Sequence, residues 1–299
     1  MTGRQIIIED SGCALCGCSS SLPLYSALHI VRCPECGLIR NRHLPKFERL
    51  KQIYTESYFR STDSGSLGYD DYIADRAKIT RTFQRRLREI ERWIGHKGKL
   101  LDVGCATGFS LEVAIERGWE AFGIELSEFA CRFARDNLQI KIHCGSMADA
   151  QLEPAGFDAI TMWDYIEHCL DPLRELQLAN KALKPGGLIA LTTPDIASWP
   201  ARISGARWMG IKDEEHLYYF TPVTMKRLLH QTGFQPERLE HVGKYVDVGF
   251  FVKRAGLYSS SVEGMLKRAA HLFRLANRVL YVNPFDIMLV YGKKTGGIE

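Results

Sequence analysis

The sequence predicts an α/β protein in which a doubly wound, mostly parallel sheet follows a small cysteine-rich module. Two observations predict this class. Short apolar runs alternate with helix-length segments from residue 99 onward, and five of the nine cysteines lie within the first 36 residues. Because parallel neighbours need a crossover connection, strands separated by helix-length segments indicate βαβ units. We therefore expect two domains, a cysteine-rich ribbon with a linker over residues 1–60 and an α/β domain over residues 61–299.

The composition is that of an ordinary globular protein. Hydrophobic residues make up 45% and charged residues 25% of the 299 residues, which excludes a disordered tail, a collagen-like fibre and a coiled-coil rod. No apolar run reaches the ~18 residues that a membrane-spanning helix needs. Residues 1–11 lack the apolar core of a secretory signal. We therefore expect a cytoplasmic protein whose cysteines serve metal or thiol chemistry rather than disulfide bonds.

Apolar periodicity divides the chain into strands and helices. The predicted strands span residues 99–105, 119–126, 140–144, 157–163, 188–192, 238–242 and 285–291. The predicted helices span residues 70–94, 109–117, 128–137, 173–183, 222–232 and 262–280, the last within an insertion over residues 250–282. Two irregular stretches remain. Residues 61–68 are rich in Gly, Ser and Asp and indicate a loop, and residues 194–221 are rich in Trp, Tyr and His and indicate a lid.

Four of the early cysteines have the spacing of a metal site. Sixteen residues separate two C-x2-C pairs, and a glycine follows each pair; the cysteines are Cys13, Cys16, Cys33 and Cys36. Four thiolates on two tight turns suit a tetrahedral, structural Zn²⁺. A closed site has no open coordination position, so we assign it to folding and docking rather than to catalysis. Cys18 has the wrong spacing for either pair.

A glycine-rich loop follows the first predicted strand of the α/β domain and opens a helix. Gly104 allows a sharp turn, and Gly108 allows the helix to start close beneath a ligand. Glu125 ends the next strand, 23 residues after Asp102, where a carboxylate can accept hydrogen bonds from both ribose hydroxyls. The glycine spacing differs from the G-x-G-x-x-G dinucleotide fingerprint.

The chain resembles class I S-adenosylmethionine-dependent methyltransferases from about residue 70 to residue 245, and to residue 294 with the last strand. Their first motif is an acidic residue followed by G-x-G-x-G, which residues 102–108 follow except that Ala106 replaces the middle glycine. Further matches are Gly123-Ile-Glu125, Phe157-Asp158 and Leu183-Lys-Pro-Gly-Gly187. The resemblance implies a Rossmann-like, seven-stranded sheet whose last strand is antiparallel, with S-adenosylmethionine as the cofactor.

The resemblance also assigns residues to the cofactor. Asp102 and the backbone of residues 104–108 would hold the methionyl end, and Glu125 would hold the ribose. Ser146 and Met147 would border the adenine, where many relatives carry an acidic residue instead of Ser146. The full set of expected cofactor residues is Asp102, Gly104, Ala106, Gly108, Glu125, Leu126, Ser146, Met147 and Trp163.

Two histidines with acidic neighbours are the candidate bases. The lid pair Glu215-His216 lies in a run, residues 208–220, that resembles zinc-ribbon methyltransferases, among them sugar C-methyltransferases. This resemblance implies His216 as the base, oriented by Glu215, with His168 assisting. In the alternative interpretation, each histidine is a partly buried side chain satisfied by a backbone carbonyl.

A second resemblance competes with the lid pair. The pattern Asp164-x-x-Glu167-His168 is similar to that of metal-assisted O-methyltransferases acting on quinols and RNA ends. In those enzymes the matching side chains hold Mg²⁺ against the acceptor hydroxyl, and oxygen ligands suit that ion. We expect the base mechanism to apply here, and Mg²⁺ to be the alternative.

Basic side chains recur at helical spacing in two places. They are Arg81, Arg85, Arg88 and Arg92, and then Lys267, His271, Arg274 and Arg278. Such stripes indicate either a solvated face or a contact with phosphates or anionic headgroups, including a peripheral membrane contact through the last helix.

The charge distribution bears on the acceptor. Residues 99–245 carry five more acidic than basic side chains, although the whole chain has a net charge of +4. An acidic core disfavours an RNA methyltransferase that docks RNA with its ribbon and basic helices, which is one alternative. A non-enzymatic zinc-ribbon binding protein is another. We expect methyl transfer to a small or lipid-linked acceptor, a sugar or a hydroxylated ring.

Overall fold

The computed structural model describes residues 12–60, 71–249, 252, 260–272 and 278–295. The loop expected at residues 61–68 lies outside the described residues. The described strands are β1 (Leu22–Tyr25), β2 (Ile30–Arg32), β3 (Ile39–Asn41), β4 (Lys99–Val103), β5 (Glu120–Glu125), β6 (Ile142–Cys144), β7 (Phe157–Trp163), β8 (Leu183–Pro194), β9 (Tyr218–Tyr219), β10 (Phe234–His241), β11 (Lys244–Asp247), β12 (Val279–Val282) and β13 (Ile287–Lys294).

Helices flank these strands. They are α1 (Phe47–Ile53), α2 (Glu56–Arg60), α3 (Arg76–Ile94), α4 (Phe109–Glu116), α5 (Glu128–Leu138), α6 (Pro172–Ala182), α7 (Trp199–Ser204), α8 (Pro222–Gln231) and α9 (Ser260–Leu272). Side chains cap the amino ends of several helices by accepting a backbone N–H. Ser127 caps α5, Asp171 caps α6, and Thr221 caps α8. In the described part of the chain, no helix combines the length and apolarity that crossing a membrane requires.

Seven strands form the main sheet in the order β10-β13-β8-β7-β4-β5-β6. Neighbouring strands from β6 to β8 run parallel, and β13 runs antiparallel to both β8 and β10. This topology confirms the expected Rossmann-like fold with an antiparallel last strand. The carboxyl ends of the parallel strands therefore lie at one edge, where open α/β sheets bind ligands.

The two faces of the sheet are covered by different helices, because successive strand residues point to opposite faces. On β4, Leu100 packs with Phe83 of α3, whereas Leu101 packs with Leu176 of α6. The ribbon joins the second of these clusters through Leu15 and its neighbours. The cysteine-rich module thus shares a hydrophobic core with the α/β domain.

The ribbon sheet includes a strand from the lid. Its order is β1-β2-β3-β9, with Ile39 opposite Tyr219 and Arg40 opposite Tyr218. The lid therefore completes the ribbon, a contact that the sequence pattern does not indicate. The domain boundary at residue 60 stays a prediction.

The structure corrects or extends three expectations about local structure. The linker expected before residue 60 contains the two helices α1 and α2. The predicted helix 262–280 ends at Leu272, and residues 279–282 form β12, which pairs with β11. The strand predicted at 188–192 is longer than expected, since β8 includes the Pro-Gly-Gly run at 185–187, where pairing with β7 shifts register.

The arginine stripe of α3 is partly covered. Arg81 and Arg85 each stack 4.3 Å above an aromatic ring, those of Tyr245 in β11 and Tyr281 in β12. Half of the stripe therefore contacts the two-stranded β11–β12 sheet, although both arginine side chains remain exposed to solvent. The predicted C-terminal stripe is not one helix face, since Arg278 lies beyond α9, and Arg274 lies outside the described residues.

Candidate functional site

A cavity of about 1180 Å³ opens at the carboxyl ends of the parallel strands. Its walls come from the glycine loop after β4, the ends of β5 and β7, the lid, and the two-stranded β11–β12 sheet. Helices α1 and α2 contribute too, through Leu50, Tyr58 and neighbouring residues. The cavity is large enough for a nucleotide-type cofactor beside a second molecule.

The glycine loop has the conformation that its sequence requires. Gly104 has φ +71°, and a Cβ at this position would overlap the ring of Tyr165. Ala106, which replaces the expected middle glycine, also has a left-handed backbone with φ +50°. Its N–H donates to Glu125 Oε2 at 2.8 Å. The substitution therefore keeps the loop geometry, although the Cβ of alanine in the left-handed region costs roughly 1–2 kcal/mol that glycine would not.

Asp102 and Glu125 are both buried at the cavity wall. The Asp102 carboxylate accepts hydrogen bonds from the hydroxyls of Ser110 and Thr161, the latter at 2.6 Å. Burial nevertheless raises the pKa of Asp102 to about 7. Each Glu125 oxygen accepts one backbone N–H, from Ala106 and Ser127 at 2.8 Å, and keeps a lone pair for a ligand hydroxyl.

The other expected cofactor residues divide into two groups. Leu126, Ser146 and Trp163 line the cavity. Gly108 and Met147 do not: a Cβ on Gly108 would approach Ala134 of α5, and Met147 belongs to the hydrophobic core. Their contribution is to pack the wall.

Two charged residues of the cavity were missed by the sequence analysis. Asp149 supplies an acidic group beside Ser146, whose hydroxyl donates to it at 2.6 Å. Arg86 of α3 is 7% exposed, and its Nε has no hydrogen-bond partner within the described residues. Its guanidinium stacks 5.1 Å from the ring of Trp163. A buried cation of this kind is suited to an anionic ligand group. The arginine stripe does not include Arg86, but Arg86 lies three residues after Phe83 and four before Ile90, on the buried face of α3, which is a signal in the sequence.

Glu167, His168 and His216 meet at one point of the cavity. One ligating atom of each lies within 4.8 Å of the others. Glu167 is 1% exposed, and both of its carboxylate oxygens lack a hydrogen-bond partner among the described residues. Burial, reinforced by the nearby Asp164 carboxylate, raises the pKa of Glu167 well above its ordinary value.

Hydrogen bonds orient both histidine rings in the same way. His216 Nδ1 lies 2.9 Å from the carbonyl of Gly210, and His168 Nδ1 lies 3.0 Å from the carbonyl of Glu215. Because a carbonyl only accepts, each Nδ1 carries the proton and each Nε2 keeps its lone pair. Burial lowers the pKa of His168 to about 4 and that of His216 well below its ordinary value. Both rings are therefore neutral at physiological pH.

Two of the acidic side chains that were expected to act with the histidines have other partners. The Glu215 carboxylate pairs with Lys212 at 3.1 Å, so Gly210 rather than Glu215 orients the His216 ring. Asp164 is exposed and accepts a hydrogen bond from Thr192 at 2.8 Å, outside the Glu167–His168–His216 cluster. Sequence proximity predicts neither arrangement, since adjacent side chains in a turn diverge.

Tyr54 is a further residue that the sequence analysis missed. Its hydroxyl lies 3.1 Å from His168 Nδ1, and its backbone carbonyl accepts from Ser127 Oγ at 2.6 Å. The segment after the ribbon therefore reaches the histidine cluster.

The four expected metal ligands come together in the ribbon. The Sγ atoms of Cys13 and Cys36 lie 3.4 Å apart, those of Cys16 and Cys33 lie 3.5 Å apart, and one atom from each of the four lies within 4.8 Å of the others. Tetrahedral Zn²⁺ with ~2.3 Å bonds places its sulfurs about 3.8 Å apart, so this arrangement fits the ion. Cys18 stays outside the cluster and contacts the carbonyl of Ser20.

Residues 73–239 match the family described as a methyltransferase domain, which is more than half of the chain. The chain belongs to this family, and its main sheet has the fold of class I S-adenosylmethionine-dependent methyltransferases.

Curated relatives carry a more specific name. Over 151 residues the chain is 34% identical to the ubiquinone biosynthesis O-methyltransferase of Idiomarina loihiensis, covering 47% of this chain and 57% of that enzyme. Over 163 residues it is 32% identical to the enzyme of the same name from Leptothrix cholodnii, covering 50% and 69%. The chain thus spans little more than half the length of the first of these relatives.

Solved structures share the fold. A S-adenosylmethionine-dependent methyltransferase from Archaeoglobus fulgidus superposes with a TM-score of 0.51 at 19% identity, covering 75% of this chain and 99% of that one. Phosphoethanolamine N-methyltransferase 2 from Haemonchus contortus superposes with a TM-score of 0.50 at 16% identity, covering 86% and 63%. At these identities the likeness concerns the fold alone.

Proposed function

We propose that the protein methylates a hydroxylated ring or a sugar, either as a small molecule or linked to a lipid, and that His216 accepts the proton of the acceptor. The observation that carries this proposal is the orientation of the His216 ring. Its Nδ1–H is bound to the carbonyl of Gly210, so that Nε2 is the nitrogen left to act as a base. His168 lies beside it, with ring centroids 4.7 Å apart, and would assist.

The cavity residues fit S-adenosylmethionine. Asp102 would hold the methionyl amino group, Glu125 the ribose hydroxyls, and Asp149 with Ser146 the adenine side. Arg86, a buried cation with a free Nε, would bind the methionyl carboxylate. When bound, the cofactor supplies a methyl group on a sulfonium centre. The neutral state of His216 then matters, because only a neutral imidazole can take the acceptor proton.

The second part of the cavity favours an acceptor with apolar surface. Trp208, Val246, Val282 and Ile287 line it. Two relatives are named for ubiquinone biosynthesis, which is consistent with a hydroxylated ring. Beside the cavity, α7 exposes 61% of Trp199 and 77% of Ile203 next to the exposed Arg202. This surface would suit a peripheral contact with an anionic membrane that carries a lipid-linked acceptor.

The acceptor class can be tested directly with S-adenosylmethionine carrying a tritiated methyl group. The probes are catechols with alkyl chains from methyl to octyl, and UDP-glucose as a sugar. Label in the catechols, increasing with chain length, would support a ring acceptor with an apolar tail. Label in UDP-glucose would support the sugar. Label in neither probe class would overturn the proposal.

The role of His216 is tested with His216→Gln, using His230→Gln as the matched control because His230 is an exposed residue near the end of α8. Loss of a general base lowers kcat roughly 10²–10⁴-fold. S-adenosylmethionine binding, measured by calorimetry, should persist in both variants. Wild-type kcat in His216→Gln would remove the assignment.

A metal-assisted O-methyltransferase is the second candidate, favoured by the unpartnered carboxylate of Glu167 between two histidine donors. Two imidazoles and one carboxylate suit a transition ion better than Mg²⁺. In this candidate Glu167→Gln abolishes Mn²⁺ binding measured by calorimetry, and chelation stops turnover until Mn²⁺ is restored. Turnover that survives complete chelation of this site would exclude the metal.

We further propose that the ribbon cysteines hold a structural Zn²⁺. Purified protein should then contain one zinc per chain. Cys18→Ser should retain this zinc, whereas Cys16→Ser should lose it. Equal zinc content in both variants would refute this ligand set.

A further inference from the structure

One ribbon residue holds the backbone of the lid at the candidate base. The side-chain amide of Asn41 donates to the carbonyl of Asp213 at 2.7 Å and to the carbonyl of His216 at 3.0 Å. The backbone N–H of Asn41 donates to the carbonyl of Leu217 at 2.8 Å. Three hydrogen bonds from a single residue therefore span the segment 213–217.

The same segment is also held by the turn that follows β7. The N–H of Leu217 donates to the carbonyl of Glu167 at 2.8 Å. The ribbon and the Glu167–His168 turn thus enclose the lid strand, and the Gly210 carbonyl fixes the ring of His216. Asn41 is 5% exposed, so water does not compete effectively for its two donors.

The position of Asn41 depends on the cysteine cluster. Cys33 and Cys36 lie in the turn between β2 and β3, and the N–H of Cys33 donates to the carbonyl of Leu38 at 2.8 Å. β3 begins at the next residue and ends at Asn41. The turn that carries two of the cysteines therefore sets the strand from which Asn41 reaches the lid.

We propose that Asn41 is a positioning residue for methyl transfer, acting through its hold on the backbone of His216. The proposal rests on the base role assigned to His216 above. Effects of this kind are large, because a displacement of ~1 Å at a reacting group can cost about 10²-fold in rate. The ribbon is in this sense a part of the active site rather than a separate docking module.

Asn41→Ala tests the proposal, and the chain offers a matched control. Asn180 is 2% exposed, and its side-chain amide donates to the carbonyl of Gly233 at 3.0 Å, away from the cavity. We expect Asn41→Ala to lower kcat 10–100-fold for the longest catechol accepted, with unchanged KM and unchanged S-adenosylmethionine affinity. Asn180→Ala should lower the melting temperature similarly and keep kcat. Equal kcat in the two variants would overturn the proposal.

A double variant, compared with the two single variants, distinguishes a failure of this proposal from a failure of the base assignment of His216. The double variant Asn41→Ala/His216→Gln should be no slower than His216→Gln alone, because Asn41 acts through that ring. If His216→Gln keeps wild-type kcat, the base assignment fails. If His216→Gln is inactive and Asn41→Ala is fully active, the positioning role fails.

A spectroscopic measurement can test the proposal without a methyl-accepting substrate. The Nδ1 proton of His216 should give a slowly exchanging downfield signal in wild type and in Asn180→Ala, and a faster-exchanging one in Asn41→Ala. An unchanged signal in Asn41→Ala would contradict the proposal. If Asn41→Ala does not fold, Asn41→Ser, which keeps one donor, is used in its place. Failure of both variants to fold would assign Asn41 to stability alone.

Discussion

The pKa values of buried carboxyl groups shift in opposite directions at the two ends of the central strands. At the amino end, Asp158 of β7 accepts from the Lys184 side chain at 2.8 and 2.9 Å and from the Lys99 backbone N–H at 2.8 Å. His96 Nε2 lies 3.1 Å away. Although burial acts in the opposite direction, these partners lower the pKa of Asp158 to about 2.

At the carboxyl end of these strands the balance is reversed. Burial dominates for Asp102 and Glu167 and raises the pKa of both carboxyls. Arg86 and Glu167 also leave polar atoms without partners among the described residues. A fold tolerates such groups where a ligand completes them. The contrast therefore supports our proposal that the amino end serves stability and the carboxyl end serves binding and chemistry.

The largest effect is expected on cofactor affinity when Asp102 is substituted, and it tests the contrast between the two ends. Asp102→Asn keeps the side-chain shape but removes the charge offered to the methionyl amino group. A hydrogen bond to a charged group contributes about 1.5–3 kcal/mol, so the affinity for S-adenosylmethionine should fall roughly 10–150-fold. Calorimetry measures it, and an unchanged affinity would place the cofactor elsewhere.

Asp158→Asn should lower the stability of the fold rather than the affinity for the cofactor. The folded pKa of Asp158 is about 2, against an ordinary value of 3.8, which corresponds to about 2–3 kcal/mol of stability at pH 7. Urea unfolding should show this loss, while cofactor affinity stays unchanged. Because the folded pKa is depressed, the wild-type contribution is complete above pH ~4 and disappears as the pH falls towards 2. A change in cofactor affinity would show that the two ends are not independent.

The pH dependence of cofactor binding sharpens the comparison at the carboxyl end. Asp102 is protonated below its raised pKa of about 7 and must ionise to bind a cationic amino group. Affinity should therefore rise from pH 5.5 to 7.5, by up to about tenfold per unit below the pKa. Asp102→Asn should flatten this profile. A slope that persists in Asp102→Asn would trace the titration to another group.

The smallest effect is expected for His96→Gln at the amino end. The His96 side chain is 60% exposed, so its contact with Asp158 resembles a surface ion pair worth roughly 0–1 kcal/mol. Unfolding experiments should register little change, and turnover should be that of wild type. A loss above about 2 kcal/mol would mean that the contact is stronger than exposed pairs generally are.

Local sequence patterns predicted most of the fold and part of the site. Some features follow from residue spacing over a short stretch of the chain. They are the strands, the glycine loop with Asp102 and Glu125, and the cysteine cluster. Other features depend on contacts between distant segments. Tyr54 contacts His168, 114 residues away, and the Asn41 amide contacts His216, 175 residues away.

The sequence by itself therefore determined the class of protein and the parallel sheet with its cofactor loop, and it supplied part of the candidate site residues. Their periodicity and spacing follow from backbone geometry, which is local. Only the tertiary structure decided that Gly210 orients His216, that Glu215 pairs with Lys212, and that the lid completes the ribbon sheet. Those choices depend on which buried polar groups find partners, and that is settled only when separate segments pack together.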